Sequence, residues 1–520
     1  MVVRKISYYR VIVSLCLFMF LLSPVFGDEI SAVSFDKELP ENNIVTIQPD
    51  SLRILHNPLT GWVLYASMGV DAADFWAQYD HMYIPELGHN VSVTDYAHTL
   101  YIRASWTDFN PQEDVYGWKI DSNLRAYIEG AYQRNMRLAF RVVVDSRDKR
   151  TEFTPQFVKD AGAKGFMNKG KWSPYSDDPV FQKYYTKFVK ALAKDFNDPS
   201  KVEFIDGFGL GKWGEYHTMI YSTGDDTPKK AVFDWVTDIY SQAFDKVPVV
   251  INYHRWIGAG KDWVDDEHFA ADSEEMLEGA IKKGYSLRHD AFGMTTYYGS
   301  WERRFAKKYR NICPIIMEGG WIVKSHSYWQ DPRGYRKDSH EDVRRGEFDD
   351  SKEAHVNMMD FRFGDTKSWF KDAFDLVRRF LREGGYRLYP SEISLPLEVS
   401  KKTTPTIKHC WNNLGWGYCP TNIPQWNQKY KVAFALLDSE TNEVRYTFVD
   451  TDTDLSKWIK GSPAEYVFEP DMSKVETGTY VWAVGLVDRS NKDLIGLDIA
   501  AKGDILDSGW LKLSKVSIKK

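Results

Sequence analysis

The chain predicts an α/β fold, a (β/α)8 TIM barrel followed by an antiparallel β-sandwich. Three observations predict it. Between about residues 61 and 389, short β-branched or apolar runs alternate with longer stretches of helical period, the pattern of a parallel sheet covered by helices. Eight such strand runs can be counted there, the number that closes a barrel with its helices outside. After residue 389 no long helical period appears, and short alternating runs divided by turn-rich segments take over.

Residues 1–27 read as a secretory signal. Arg4, Lys5 and Arg10 give a positive start, 11–22 is apolar, and Val25-Phe26-Gly27 offers a cleavage point. The apolar run is shorter than the roughly 20 residues a membrane span needs. The expectation is an exported protein, secreted or periplasmic, with no membrane span. Residues 28–49 form a polar, extended leader, and the catalytic barrel is expected over 50–390.

The eight strand candidates are 62–67, 99–105, 137–144, 202–209, 247–253, 291–296, 315–318 and 386–389. The clearest helices are 121–134, with Leu124, Ile128 and Ala131 on one face, then 180–196, 234–244 and 369–383. A doubly wound open sheet is the competing architecture, and it loses because no Gly-rich phosphate loop follows the first strand. The charged stretch 324–365 falls between strands seven and eight, where an insertion forms a wall or lid over the active face. The sandwich is expected over 391–520, with strands at 393–399, 430–437, 444–449, 480–487 and 510–516.

Composition narrows function. A net charge of −6 disfavours nucleic acid as a partner, since such proteins show a basic excess. Aromatics make up 15%, with 19 Trp and 30 Tyr, which leans toward sugar-stacking surfaces, although most aromatics fill the core. Behind the signal stand three cysteines, of which Cys410 and Cys419 flank a turn-rich segment where they could pair, and Cys313 reads as a buried thiol. His217, His254 and His289 lack metal-ligand spacing, and 450–454 lacks the Gly and closing Glu of a calcium loop. No metal and no cofactor is expected. No serine-nucleophile elbow or P-loop occurs either.

Two glutamates carry the chemistry. Glu215 follows strand four in Gly209-Leu210-Gly211-Lys212-Trp213-Gly214-Glu215-Tyr216-His217, and Glu318 closes strand seven in Pro314-Ile315-Ile316-Met317-Glu318-Gly319-Gly320-Trp321. Barrel active sites lie at the C-terminal ends of the strands. Two carboxyls facing one sugar are what glycoside hydrolysis needs: one protonates the leaving oxygen, the other attacks the anomeric carbon or activates water. Glu302 is the first substitute for Glu318, and Glu113 reads as a surface or capping residue.

At these residues the barrel resembles the retaining glycoside hydrolases of clan A, which place the acid/base on strand four and the nucleophile on strand seven. The phrases Asn57-Pro58-Leu59-Thr60-Gly61-Trp62, Trp213-Gly214-Glu215-Tyr216-His217 and Gly384-Gly385-Tyr386-Arg387-Leu388 also look like a secreted bacterial β-galactosidase-like group. Residues 411–430 resemble that group's C-terminal domain of unknown function. The resemblance implies Glu215 as acid/base, Glu318 as nucleophile and a carbohydrate substrate. One departure stands out: clan A enzymes usually carry Asn before the acid/base, and here Gly214 takes its place.

Substrate-binding candidates come from other strand ends: Arg103, Arg141, Trp213, His217, Asn252, Tyr253, His254, Tyr298, Trp301 and Trp321. Arg103 or Arg141 would hold Glu318 ionised by a charge-assisted hydrogen bond, or else fill the barrel as a salt bridge to Asp145 or Asp206. The rival to an enzyme is a non-catalytic glycan-binding barrel. A lyase acting on uronic acids would show an Arg/Lys/His cluster in place of two facing carboxylates.

Overall fold

The computed structural model describes residues 42–147, 151–260, 267–294, 297–320, 340–362 and 364–520. The signal-like 1–27, Trp321 and the first part of the 324–365 stretch lie outside the described residues. What is described falls in one compact unit, Phe35–Lys520.

Among the described residues, eight parallel strands close into a barrel in strict chain order: Gly61–Tyr65, Ala97–Ser105, Arg137–Val143, Val202–Asp206, Val249–Asn252, Tyr285–Phe292, Ile315–Gly319 and Met358–Asp360. Each alternates its side chains between the barrel interior and the helix layer. The outward positions pack against amphipathic helices. Pro179–Phe196, for example, buries Phe181, Tyr185, Phe188, Val189 and Leu192, and is opened by Asp178, whose side chain accepts from the Val180 and Phe181 amides.

Two barrel strands differ from the sequence expectation. Strand six runs over Tyr285–Phe292 rather than 291–296, because its inward positions Ser286, Arg288 and Asp290 are polar and break the apolar run that marks a buried strand. Strand eight is Met358–Asp360, three buried residues inside the charged stretch expected as an insertion. The 386–389 run instead leads into a strand of the appended sheet, Leu388–Pro396, and Tyr386 and Leu388 are buried in the core shared by barrel floor and sandwich. The end of the 324–365 stretch is thus built into the barrel, and it also carries the helix His340–Glu353. The helix expected over 369–383 breaks at Ala373 into Thr366–Asp372 and Phe374–Glu383.

The C-terminal region forms two sheets. One orders Asn42–Thr46, Leu388–Pro396, Ile407–Asn413 and Ala464–Phe468, all antiparallel. The leader thus supplies an edge strand. The other orders Glu398–Ser400, Leu511–Lys519, Gly478–Asp488, Tyr430–Asp438 and Val444–Asp450, with Leu494–Leu497 on Gly478–Asp488. Its ladders are antiparallel except for the short parallel pairing of Glu398–Ser400 with Ser517–Lys519. Ile393, Ile407 and Trp411 of the first sheet share a core with Phe434, Trp482 and Val516 of the second. Cys313, Cys410 and Cys419 are all free and buried, so no bridge joins Cys410 to Cys419.

The sandwich seats against the barrel floor. Asn357, just ahead of strand eight, donates to the carbonyls of Leu59 and Tyr418, Asn422 donates to Ile312, and Gln425 to Gly284. All these barrel partners precede their strands. The opposite end, where strands exit, is left to the loops.

Candidate active site

The barrel interior is layered. The lower inward positions include Val63, Tyr101, Ala139, Phe204, Val250, Ile316 and Met358, a packed apolar floor. Two residues further along each strand, the pleat brings Tyr65, Arg103, Arg141, Asp206, Asn252, Arg288, Glu318 and Asp360 to the same side. One strand step thus converts floor into polar chamber. Asp206 accepts from Tyr101 Oη at 3.0 Å and from Arg141 Nε at 2.6 Å, with Arg288 Nε at 3.5 Å. That fixes Arg141 as a bridge to the next layer.

Glu215 reaches this chamber from a loop of unusual backbone. Gly209, Gly211 and Gly214 have φ near +80°, and Trp213, Tyr216 and Thr218 are also left-handed, with φ of 60°, 59° and 50°. A Cβ on Gly211 would lie 2.7 Å from Met219 Sδ and 2.9 Å from the His217 carbonyl, which explains the glycine. The non-glycine left-handed residues each cost about 1 kcal/mol or more, and the surroundings hold them there. Tyr216 N donates to Leu210 O, its carbonyl accepts from Gly258 N at 2.8 Å, and its hydroxyl donates to Lys229 O at 2.9 Å. His254 completes the frame. Its Nδ1 accepts from Trp256 N, so Nε2 carries the proton and donates to the Glu215 carbonyl at 2.7 Å. Burial holds this imidazole down at about 3, a neutral support.

The Glu215 side chain is 3% exposed. Arg141 Nη1 donates to its Oε1 at 3.0 Å, Arg103 Nη2 lies 3.7 Å from the same oxygen, and His217 Nε2 lies 3.3 Å from Oε2. Asp290, inward on strand six, places a further negative charge near it. Burial and the Asp290 charge together push the Glu215 carboxyl up to about 7, against the pull of His217 and Arg141. For Asp290, burial works upward, but Glu215 and the nearby Arg141 outweigh it and hold this carboxyl well below the usual range.

Glu318 has a different environment. Arg288 Nη2 donates to Glu318 Oε2 and lies 3.2 Å from Asp360 Oδ2, while its guanidinium stacks over Tyr101 at 4.4 Å. Asp360 sits beside Glu318 in the strand register. Burial first, and then the Glu318 charge, drive the Asp360 carboxyl up to about 7 despite Arg288. The chamber therefore holds two carboxyls pushed up toward neutrality, Glu215 and Asp360, and a third, Glu318, paired with a guanidinium. Such an arrangement delivers a proton at one point and presents an anion at another.

Of the sequence-predicted residues, Arg103, Arg141, Trp213, His217, Asn252 and His254 are brought together around Glu215. Trp213 is half-buried, with its carbonyl accepting from Arg103 at 2.8 Å. Asn252 Nδ2 donates to Asp290 Oδ1 at 3.3 Å. The structure puts Tyr253, Tyr298 and Trp301 in the layer between strands and helices. Tyr253 Oη is 3.1 Å from Tyr298 Oη, Tyr298 stacks on Phe292, and Trp301 stacks on Phe305. Tyr253 directly follows Asn252 and takes the opposite parity, while Trp301 belongs to the helix Ser300–Tyr309. Arg288, rather than Arg103 or Arg141, holds Glu318. Glu302 accepts from the Gly299 and Arg255 amides and from the Arg255 guanidinium, capping the helix Ser300–Tyr309 outside the chamber. Sequence reasoning missed Arg288, Asp290 and Asp360 because strands six and eight were placed elsewhere. A period-2 reading of Ser286, Arg288 and Asp290 would have found the first two.

No group of metal-ligating side chains occurs among the described residues, and no helix there is long and apolar enough to cross a membrane. No family model matches the sequence, and no curated protein does. Solved structures give distant likenesses. A GH30 endoxylanase from Clostridium papyrosolvens C71 aligns at 10% identity and a TM-score of 0.37, covering 81% of this chain and 96% of that one. Endo-glycoceramidase II from Rhodococcus sp. aligns at 13% identity and 0.36, covering 82% and 99%. The exo-beta-1,4-mannosidase Op5Man5 from Opitutaceae bacterium strain TAV5 aligns at 12% and 0.38, covering 62% and 59%. At these scores the fold assignment rests on the closed strand order itself.

Proposed function

We propose that the protein is a glycoside hydrolase in which Glu215 is general acid and then base and Glu318 attacks the anomeric carbon. The observation that carries the reading is the contrast between the two carboxyls. Glu215 is held protonated toward pH 7 by burial and a neighbouring anion, while Glu318 faces the Arg288 guanidinium. A buried carboxyl beside another anion suits the acid, and a carboxylate held by a guanidinium suits the nucleophile. Arg103 and Arg141 feel the charges of both glutamates, which supports one shared chamber.

As the glycosidic bond breaks, Glu215 gives its proton to the leaving oxygen and Glu318 forms a glycosyl ester. Glu215 then takes a proton from water, which attacks the ester and frees the sugar with retained configuration. The three arginines of the chamber each meet a carboxylate, an arrangement that favours this reading over a lyase. β-Galactosides are the first substrates to test, on the strength of the sequence resemblance, and export on the strength of residues 1–27.

A panel of aryl glycosides and polysaccharides, read by reducing-end release and by proton NMR of the first anomer formed, tests the reaction. Retention in the wild type, with Glu318→Ala binding glycan but releasing nothing, is the expected result. A wild type that binds sugars and cleaves none would turn the assignment to the glycan-binding alternative. Gly214, at φ +78° where clan A enzymes usually carry Asn, is the feature favouring that alternative.

A further inference from the structure

Strand eight brings to the nucleophile a carboxyl that the reaction as written does not use. Asp360 ends Met358–Asp360 and pairs with Glu318 in the parallel register, so both side chains turn to the same face of the sheet. Both carboxyls meet one nitrogen: Arg288 Nη2 donates to Glu318 Oε2 and lies 3.2 Å from Asp360 Oδ2. The other oxygen of Asp360, Oδ1, accepts from the Arg362 amide at 2.5 Å, which fixes the side chain in place. We infer that Asp360 is a positioning residue that takes over the Arg288 guanidinium when Glu318 becomes an ester, so that this buried cation faces a carboxylate throughout the reaction. The inference rests on the glycosidase reading for the ester, and on the shared nitrogen for the pairing.

Burial makes such a substitute necessary. The side chains of Arg288 and Asp360 are fully buried and that of Glu318 nearly so. In such a place a guanidinium without its anion is strongly destabilising, and so are two carboxylates set against one cation. The groups around the pair leave Nη2 to these two carboxyls. Asp206 of strand four serves Arg141 at 2.6 Å and only approaches Arg288 Nε, at 3.5 Å. The Tyr101 ring of strand two lies against the guanidinium face. On the other flank, strand one pairs Val63 with Asp360, and Tyr65, two residues further on, feels the Glu318 charge. While Glu318 is charged, burial and that charge raise the Asp360 carboxyl to about 7 against the pull of Arg288. Esterification removes the Glu318 charge and leaves the pull of Arg288, so Asp360 then ionises more readily.

Charges and protons balance over the cycle. In the first step a Glu318 oxygen bonds to the anomeric carbon, the bond to the leaving oxygen breaks, and the Glu215 proton goes to that oxygen. The Arg288 cluster thereby loses one negative charge. Asp360 restores it by giving its proton to water, and it meets Nη2 from where it already stands. In the second step water replaces Glu318 on the anomeric carbon and its proton passes to Glu215. Glu318 returns as a carboxylate, and Asp360 takes a proton back from water.

Infrared titration of protein with isotope-labelled aspartate carboxyls separates Asp360 from Glu215 and needs no substrate. The wild type is expected to show an aspartic-acid band that titrates near neutrality and is absent from Asp360→Asn. Glu318→Gln imitates the uncharged, esterified nucleophile, and there the band should titrate about one unit lower or more. A band at the same pH in both proteins overturns the pairing. So does a wild type with no aspartate above the ordinary range, a result that stands even if Asp360→Asn does not fold. Rapid mixing with a dinitrophenyl glycoside reads the reaction itself. Asp360→Asn deprives Arg288 of its substitute anion only in the ester, so ester formation should slow about tenfold or more while ester hydrolysis is not slowed. Equal losses in the two steps would mark a merely structural residue and overturn the role. A protein that cleaves no glycoside counts against the glycosidase reading alone, and the infrared shift then decides the pairing.

Discussion

Glu215→Gln should make the protein more stable at neutral and alkaline pH while removing its acid. The amide reproduces the uncharged, protonated side chain and still accepts from Arg141 through Oε1. In the wild type the folded carboxyl sits at about 7 against an ordinary 4.5, a difference of 2.5 units. At about 1.4 kcal/mol per unit this amounts to about 3 kcal/mol. The sign follows from the direction. A carboxyl raised by folding contributes stability that is full below about pH 4.5 and lost as pH climbs through about 7. Gln does not titrate, so the gap between variant and wild type should widen by about 3 kcal/mol in the variant's favour across that window. Its near-complete burial removes any discount for solvent screening. Urea unfolding of both proteins at the two ends of the window measures the gap. A constant gap, or one that moves in the wild type's favour, would refute the reasoning, because it would mean that Arg141 and Arg103 keep Glu215 ionised in the fold.

Three further outcomes follow from single contacts. Arg288→Met leaves Glu318 and Asp360 buried without their shared cation, a loss of about 3–5 kcal/mol in denaturant unfolding, together with loss of hydrolysis. Gly211→Ala puts a methyl on Met219 and the His217 carbonyl at φ +75°, and thermal unfolding should fall by an amount corresponding to about 2 kcal/mol or more. Glu302→Gln weakens the cap of the helix Ser300–Tyr309 and its pairing with Arg255, costing roughly 1–3 kcal/mol with kcat unchanged; a collapse of kcat at full stability would reinstate Glu302 as the nucleophile candidate.

The parts of the fold legible in the sequence were those with apolar residues on both faces outnumbering any polar inward one. Strand three, whose Leu138, Ala139, Phe140, Val142 and Val143 surround the single inward Arg141, announces itself by composition. Strand six hides because its inward face is Ser286, Arg288 and Asp290, so the feature that makes it functional also removes the hydrophobic run that would reveal it. Strand eight hides by brevity, since three residues carry no period. The glutamates were visible because glycine and tryptophan around them had no structural excuse, and Gly209 and Gly211 prove to be required by left-handed turns. Their partners were not, because a buried arginine is identified by the carboxyl it meets, and that meeting depends on closure of the whole barrel. Tyr253, Tyr298 and Trp301 show the converse: aromatic residues near a strand end look alike in sequence whether they face the chamber or the helices, and only their place in the folded chain separates them.

Strand eight has a consequence beyond closure. It is the shortest of the barrel strands, and it alone joins strand seven to strand one. The wall beside Glu318 is therefore a seam held by short ladders on either side, with Asp360 as one of its stitches. The three residues that close the ladder also place Asp360 against Arg288 beside Glu318. Integrity of this seam and the charge balance of the chamber beside Glu318 thus depend on the same three residues.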